Sequence, residues 1–269
     1  MNNQLIQKLF LKLQEETPLI HHITNNVTIN DCANATLAIG GSPVMAATIA
    51  EADEMASQSD ALVINFGTIN DQMFEAMVIA AKAANHKGIP VIFDPVGVGA
   101  TKYRTEKAVE FIQTIQVSII RGNASEVYSL MGKRAKTRGV DTGEIDMTAI
   151  DLAKEAAQHF NAIIVISGRL DVIANENSIV QIDNGDVLLT RVTGTGCMTA
   201  SLIASFAAVA DDWYYAAIAG MATMSLAGEL AGQKLSDSEG MGTFRIKLMD
   251  EISKMNAATW IEGVNLNEA

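Results

Sequence analysis

The sequence predicts an α/β protein with a doubly wound, mostly parallel central sheet flanked by helices. Two observations carry this. Apolar strand-like runs alternate with helical stretches at least four times along the chain, the pattern of βαβ units. Several of the runs, Ala61 to Gly67 above all, are continuously apolar, as strands covered on both faces are. The chain has 269 residues, 49% of them hydrophobic, enough for a large domain with a substantial core. No repeat, linker or low-complexity tract divides it, so one domain over residues 1–269 is expected.

Residues 2–16 place Leu5, Ile6, Leu9, Phe10 and Leu13 at helical spacing, and Pro18 stops that helix. Leu19 to Thr24 reads as a strand, Asn25-Asn26 as a turn or N-cap, and Asn30 to Ile39 as a helix ending at Gly40-Gly41. Ser42 to Ala46 is short and extended, and Glu51 to Ala56 is helical. Ala61 to Gly67 is a strand, Asp71 to Asn85 a helix, and Ile89 to Phe93 a strand running into Asp94-Pro95-Val96-Gly97. Lys107 to Ile115 is helical, and Val117 to Ile120 is a strand closing on Arg121-Gly122-Asn123. Asn123 caps a helix from Ala124 to Met131, with Glu126 placed for a capping box. Lys133 to Glu144, polar and glycine-containing, reads as a surface loop. Thr148 to Gln158 is a helix and Ala162 to Ser167 a strand. Asp171 to Ala174, Ser178 to Ile182 and Val187 to Leu189 read as short strands, with a hairpin turn at Asn184-Gly185. Asp212 to Ala231 and Gly242 to Met255 are helices that cover one face of the sheet.

One loop draws the rest together. Asp186 to Val192, apolar and strand-like, leads into Thr193-Gly194-Thr195-Gly196-Cys197, which opens on a helix of small residues, Met198 to Ala208. Glycine lets the backbone turn sharply and approach a ligand. A helix start leaves N–H groups without partners and carries the positive end of the helix dipole. Together they make an anion cradle, most often for phosphate. The loop is not a Walker A, since no Gly-Lys-Ser/Thr follows, nor a G-x-G-x-x-G, since Thr199 stands third after Gly196. Taken alone it is equally a tight structural turn.

The net charge of -12 leaves no basic patch, so nucleic acid is not an expected partner. No apolar run reaches the ~18 residues of a membrane span, so no membrane partner is expected either. The first residues form an amphipathic helix without a signal-peptide core, and a cytoplasmic location is expected. Cys32 and Cys197 lie far apart with no C-x-x-C, which argues against a disulfide framework or a zinc site.

In doubly wound sheets, ligands bind beyond the carboxyl ends of the strands. The residues just past the expected strand ends are Asn65 to Thr68, Asp94 to Gly97, Arg121 to Glu126, Ser167 to Arg169 and Gly194 to Cys197. Nearly every polar residue able to do chemistry falls in that set. Asp94 and Glu126, with water and phosphate oxygens, suit Mg²⁺. Equally, Asp94 is a turn residue before Pro95 and Glu126 only a helix cap. Arg121 is a surface charge or ion-pair partner, or it holds nucleotide phosphates. Ser167 is a turn hydroxyl or a nucleotide contact. Cys197 reads as a small buried hydrophobe, a nucleophile activated by the helix start, or a proton acceptor beside a substrate hydroxyl. His21 and His22, adjacent on a strand, point to opposite faces and read as structural.

The runs GTGCMTASLIASF, DPVGVGA, RGNASE, HHITNNVT and GGSPVMA closely resemble the hydroxyethylthiazole kinases of the ribokinase-like superfamily, and the resemblance covers essentially the whole chain with the motifs in the same order. GTGC resembles the superfamily's anion-hole motif, and NASE its magnesium motif. Most ribokinase-like enzymes carry Asp where this chain has Cys197, whereas hydroxyethylthiazole kinases often carry Cys. The resemblance implies transfer of phosphate from ATP to 4-methyl-5-(2-hydroxyethyl)thiazole in thiamine salvage. It implies that Gly194, Thr195 and Gly196 form the anion hole and that Cys197 lies beside the substrate hydroxyl. Asp94 and Glu126 then organise Mg²⁺, and Arg121 and Ser167 contact ATP. Asn25, Val27, Met45 and Gly194 line the thiazole pocket, and the protein is a homotrimer with thiazole sites at subunit interfaces. The rival readings are a kinase for another small alcohol (a hydroxymethylpyrimidine or pyridoxal), an ATP-dependent dehydratase of hydrated nicotinamide nucleotides, and a nucleotide-binding regulatory module.

Overall fold

The computed structural model describes residues 3–133 and 146–268. The loop expected from Lys133 to Glu144 lies, past its first residue, outside the described residues. Nine strands of the described residues form one sheet in the order β2-β1-β3-β4-β5-β6-β7-β8-β9. They are β1 (Leu19–Ile23), β2 (Ser42–Val44), β3 (Ala61–Asn65), β4 (Val91–Asp94), β5 (Ile119–Asn123), β6 (Ile163–Ser167), β7 (Asp171–Ala174), β8 (Ile179–Ile182) and β9 (Leu266–Glu268). All pairings from β2 to β6 are parallel, and those from β6 to β9 antiparallel.

Alternate strand residues feed two separate cores, as the two-residue strand period requires. Ile20, Val63, Ile92 and Ile119 face one core; Leu62, Ile64, Phe93 and Ile120 face the other. The first core is closed by α1 (Asn3–Glu16), α2 (Ile29–Ile39), α8 (Thr195–Ala207), α9 (Trp213–Gln233), α10 (Met241–Lys254) and α11 (Ala257–Gly263). The second is closed by α3 (Ile49–Gln58), α4 (Asp71–Lys87), α5 (Lys102–Thr114), α6 (Ala124–Leu130) and α7 (Ala149–Phe160). This is the doubly wound, mostly parallel arrangement the sequence predicts. Among the described residues no helix is long and apolar enough to cross a membrane.

Three expectations are corrected. Val187 to Leu189 is not a strand: Val187–Thr190 is a 3-10 helix with no buried residue. The edge of β8 is instead taken by β9, from the far end of the chain. The Asn184-Gly185 hairpin is therefore not formed. Asn184 ties down the C-terminal segment, donating to the Gly263 carbonyl at 3.0 Å and accepting from the Asn265 amide at 2.7 Å. Leu189 packs over Gly228 of α9, where a Cβ would lie 2.5 Å from its Cδ1. Helix α5 begins before Lys107, because Thr101 caps it by accepting from the Arg104 amide. The short α11 and β9 carry no apolar period that would mark them in the sequence.

Candidate functional site

The polar residues named from the strand ends converge where β1, β3, β4, β5 and β6 finish. Residues Asn65 and Asp94 are direct cross-strand partners, as are Asn123 and Ser167. Behind them, Phe66 and Phe93 meet edge to face with ring centroids 4.8 Å apart, and Phe111 stands 4.9 Å from Phe93. These buried rings, each worth roughly 1.5–3 kcal/mol of transfer free energy, fix the strand ends on which Asn65 and Asp94 sit.

The amino end of α8 opens onto this set. Its N-cap, Gly194, has φ +92°, and a Cβ there would lie 2.6 Å from Thr28 Cγ2. Both the turn and the close approach call for glycine. No side chain caps the helix, which leaves its first amides and the positive end of its dipole to an anion. Arg121 lies against Gly196, where a Cβ would come 2.9 Å from Arg121 Cζ. Its Nη2 donates to Ser167 Oγ at 2.8 Å, and its Nη1 lies 3.8 Å from Asp94 Oδ1.

Two locked carboxamides surround Cys197. Asn25 Oδ1 accepts from the Val27 and Thr28 amides at 3.1 and 3.0 Å. Its Nδ2 therefore faces Asn65 Oδ1, at 2.9 Å, and Cys197 Sγ, at 3.3 Å. Asn65 donates in turn to Asp94 Oδ2 at 2.8 Å and to Cys197 Sγ at 3.3 Å. Burial and the neighbouring Asp94 push the Cys197 thiol above its usual range, against the pull of Thr28, Arg121 and Asn25. It is a thiol near neutral pH and not an activated nucleophile.

Asp94 is fully buried, and its Oδ1 has no hydrogen-bond partner. Burial pushes its carboxyl up to about 7, with Arg121 and Asn65 opposing and Glu126 adding to the rise. Such an oxygen suits a cation or a proton. Glu126 makes its capping box, accepting from the Asn123 amide at 2.9 Å, while its other oxygen accepts from the Gly97 amide at 2.9 Å. It thus holds the Asp94 loop to α6 and keeps lone pairs for a cation. Among the described residues no group of three or more His, Cys, Asp or Glu forms a metal cage. A magnesium ion here would be completed by water and phosphate oxygens, which is its habit.

The structure therefore brings together Asn25, Asp94, Arg121, Glu126, Ser167, Gly194, Thr195, Gly196 and Cys197. Val27 stands on the rim and is 65% exposed. Met45 follows β2 at the sheet edge and is half-buried. Its neighbour Ala46 is held by His21, whose Nε2 meets the Ala46 carbonyl at 2.7 Å. His22 is buried between the Ile20 carbonyl and Ser201 Oγ, and burial lowers it to about 4. Sequence reasoning placed Asn65 past a strand end without giving it a task. It missed Asp171, whose buried carboxylate accepts from the Gly168 amide at 3.0 Å and from Ser225 Oγ at 2.6 Å. It missed Arg104 too, which donates to the carbonyls of Phe66, Gly67 and Val96 and so ties two strand-end loops together.

Comparison with known proteins agrees with this geometry. The family described as "Hydroxyethylthiazole kinase family" matches residues 10–258. The hydroxyethylthiazole kinase of Ruminiclostridium cellulolyticum is 44% identical over 266 residues, covering 98% of this chain and 97% of that one. The solved hydroxyethylthiazole kinase protein from Pyrococcus horikoshii OT3 superposes with a TM-score of 0.88 at 33% identity, over 99% of both chains. The pyridoxal kinase from Staphylococcus aureus, solved with AMP-PCP and pyridoxal, gives a TM-score of 0.64 at 14% identity, over 94% of this chain and 99% of that one. That last likeness concerns the fold alone, which is the ribokinase-like one.

Proposed function

The chain belongs to the hydroxyethylthiazole kinase family, and on that premise we propose that it moves the γ-phosphoryl group of ATP to the hydroxyethyl oxygen of 4-methyl-5-(2-hydroxyethyl)thiazole, a step of thiamine salvage. The observation that carries this reading is the uncapped amino end of α8 with Arg121 laid against Gly196. Phosphoryl transfer is chiefly positioning and charge neutralisation, and this corner supplies both.

The amides of Thr195, Gly196 and Cys197 hold the transferring phosphoryl group, where hydrogen-bond donors already in place act most strongly. Arg121 and Ser167 hold ATP phosphates. Asp94 and Glu126 would hold Mg²⁺, which when bound would neutralise charge on the phosphate oxygens. Asn25, Met45 and Gly194 face the thiazole, with Val27 at its rim. Cys197 stands beside the substrate hydroxyl. As a thiol of raised pKa it orients that hydroxyl more than it removes its proton.

We read the chain as one domain that works in the cytoplasm as a homotrimer. Light scattering gives the mass directly.

The deciding experiment is ADP release from Mg-ATP with the thiazole alcohol, beside a hydroxymethylpyrimidine and pyridoxal. Release that depends on the thiazole, with phosphate on its hydroxyethyl oxygen, is the expected result. Faster release with either other alcohol overturns the substrate, and no release with any alcohol overturns the kinase reading.

A further inference from the structure

Asn65 is fully buried and bonds to both the Cys197 and the Asp94 sides of the site. Its orientation is fixed. The Gly67 amide can only donate, and it meets Asn65 Oδ1 at 2.8 Å, so the carboxamide nitrogen must face the other way. Both hydrogens of that nitrogen are used, one on Asp94 Oδ2 and one on Cys197 Sγ. The same oxygen that takes the Gly67 amide also takes Asn25 Nδ2 at 2.9 Å. One carboxamide thus sets which oxygen of Asp94 is left free and holds the sulfur of Cys197 as an acceptor. Arg104 braces the turn from outside, since its Nη2 donates to the Gly67 carbonyl at 2.7 Å.

We infer that Asn65 is a positioning residue of the transfer reaction, acting by donation to Asp94 and Cys197 and not merely by shaping the turn at Gly67. The inference rests on the kinase reading of this site. A turn-shaping residue needs only its oxygen, whereas a donor needs its nitrogen. Asn65→Asp separates the two, because it keeps acceptors for Gly67 and Asn25, loses the N–H donation to Cys197 and replaces the one to Asp94 by a carboxyl that must share a proton with it.

Two readouts test this, each against wild type. In the kinase assay, Asn65→Asp should lower kcat by about tenfold to a hundredfold, the loss expected for hydrogen bonds to charged or reacting groups. KM for ATP should stay within about twofold, because Arg121 and Ser167 are untouched. In the second readout, iodoacetamide alkylation of Cys197 is followed by peptide mass without any substrate. It should slow several-fold, since a carboxylate would replace an N–H on the sulfur. A kcat close to wild type, or an unchanged alkylation rate, overturns the inference. If wild type itself turns over no alcohol, the kinase reading fails and takes the role in transfer with it, and the alkylation rate then reports only whether Asn65 donates to Cys197. Should Asn65→Asp not fold, Asn65→Ala is compared in wild-type and Cys197→Ala backgrounds. A smaller loss in the second background upholds the coupling, and equal losses overturn it.

Discussion

Arg121 and Gly196 are in such close apposition that a Cβ at residue 196 would overlap the guanidinium. Gly196 lies in the first turn of α8, where alanine is intrinsically the better helix former by about 1 kcal/mol. Gly196→Ala should therefore leave the melting temperature nearly unchanged or slightly raised. The flexible end of Arg121 must give way, breaking its bond to Ser167. We expect kcat/KM for ATP to fall on the order of a hundredfold, as when a donor is removed from an oxyanion site. Near-normal kinetics would show that Arg121 has no fixed task.

Cys197 offers a second test. Its raised pKa makes it a poor base at neutral pH, so Cys197→Ala should lower turnover by about tenfold or less while ATP binding stays intact. Cys197→Asp should retain activity and can exceed wild type, because a carboxylate takes a proton more readily and Asn25 and Asn65 are already aimed as donors. Turnover and ATP titrations on folded variants decide. A complete loss in Cys197→Ala would make the thiol essential, and an inactive Cys197→Asp would count against a proton-accepting position.

Asp94 links activity to stability. Its folded-state pKa is about 7 against a reference value of 3.8, so between those limits the folded chain keeps a proton that the unfolded chain has lost. Its contribution is fully present below about pH 4 and is lost as pH rises through 7. Asp94→Asn removes this term. In EDTA the variant should be more stable than wild type by roughly 2–4 kcal/mol at pH 8, and the difference should vanish near pH 4. Activity should be lost at every pH. A variant less stable than wild type at pH 8 would mean that the ionised carboxylate is fully compensated by Arg121.

Much of this site was legible because apolar runs stop abruptly. The ends of β3, β4 and β6 are marked in the sequence by Asn65, Asp94 and Ser167, and a parallel sheet brings such ends side by side. What could not be read is pairing across distance. Val187 to Leu189 has a strand's composition, but the edge it would need is taken by residues 266–268. The Asn25–Asn65 bond joins positions 40 apart in sequence, and Arg104 reaches 38 positions back to Phe66. No local period records either contact. Glu126 shows the reverse case: its cap was legible in Asn123-x-x-Glu126, yet its bond to the Gly97 amide was not.

The last prediction concerns Asp171, which stands behind the Ser167–Gly168 turn, the turn proposed to meet ATP. Its carboxylate anchors the Gly168 amide, next to Ser167, and is itself held by Ser225 of α9. Burial raises it to about 6, with Ser225, Gly168 and Arg121 opposing. Asp171→Ala frees the turn and removes a negative charge near Arg121. It should raise KM for ATP by about tenfold, the loss of one charge-assisted hydrogen bond, with kcat nearly unchanged because the α8 amides and Cys197 are not touched. Asp171→Asn can keep one bond to Gly168 and one to Ser225, so its KM should lie between wild type and Asp171→Ala. The sign of its stability change follows that of Asp94: the folded chain holds the extra proton between 3.8 and about 6, so the asparagine variant should gain most above pH 6. Steady-state KM at pH 7.5 and melting curves across pH 4–8 test both parts. An unchanged KM in Asp171→Ala would detach this buried pair from ATP and leave it a tie between β7 and α9.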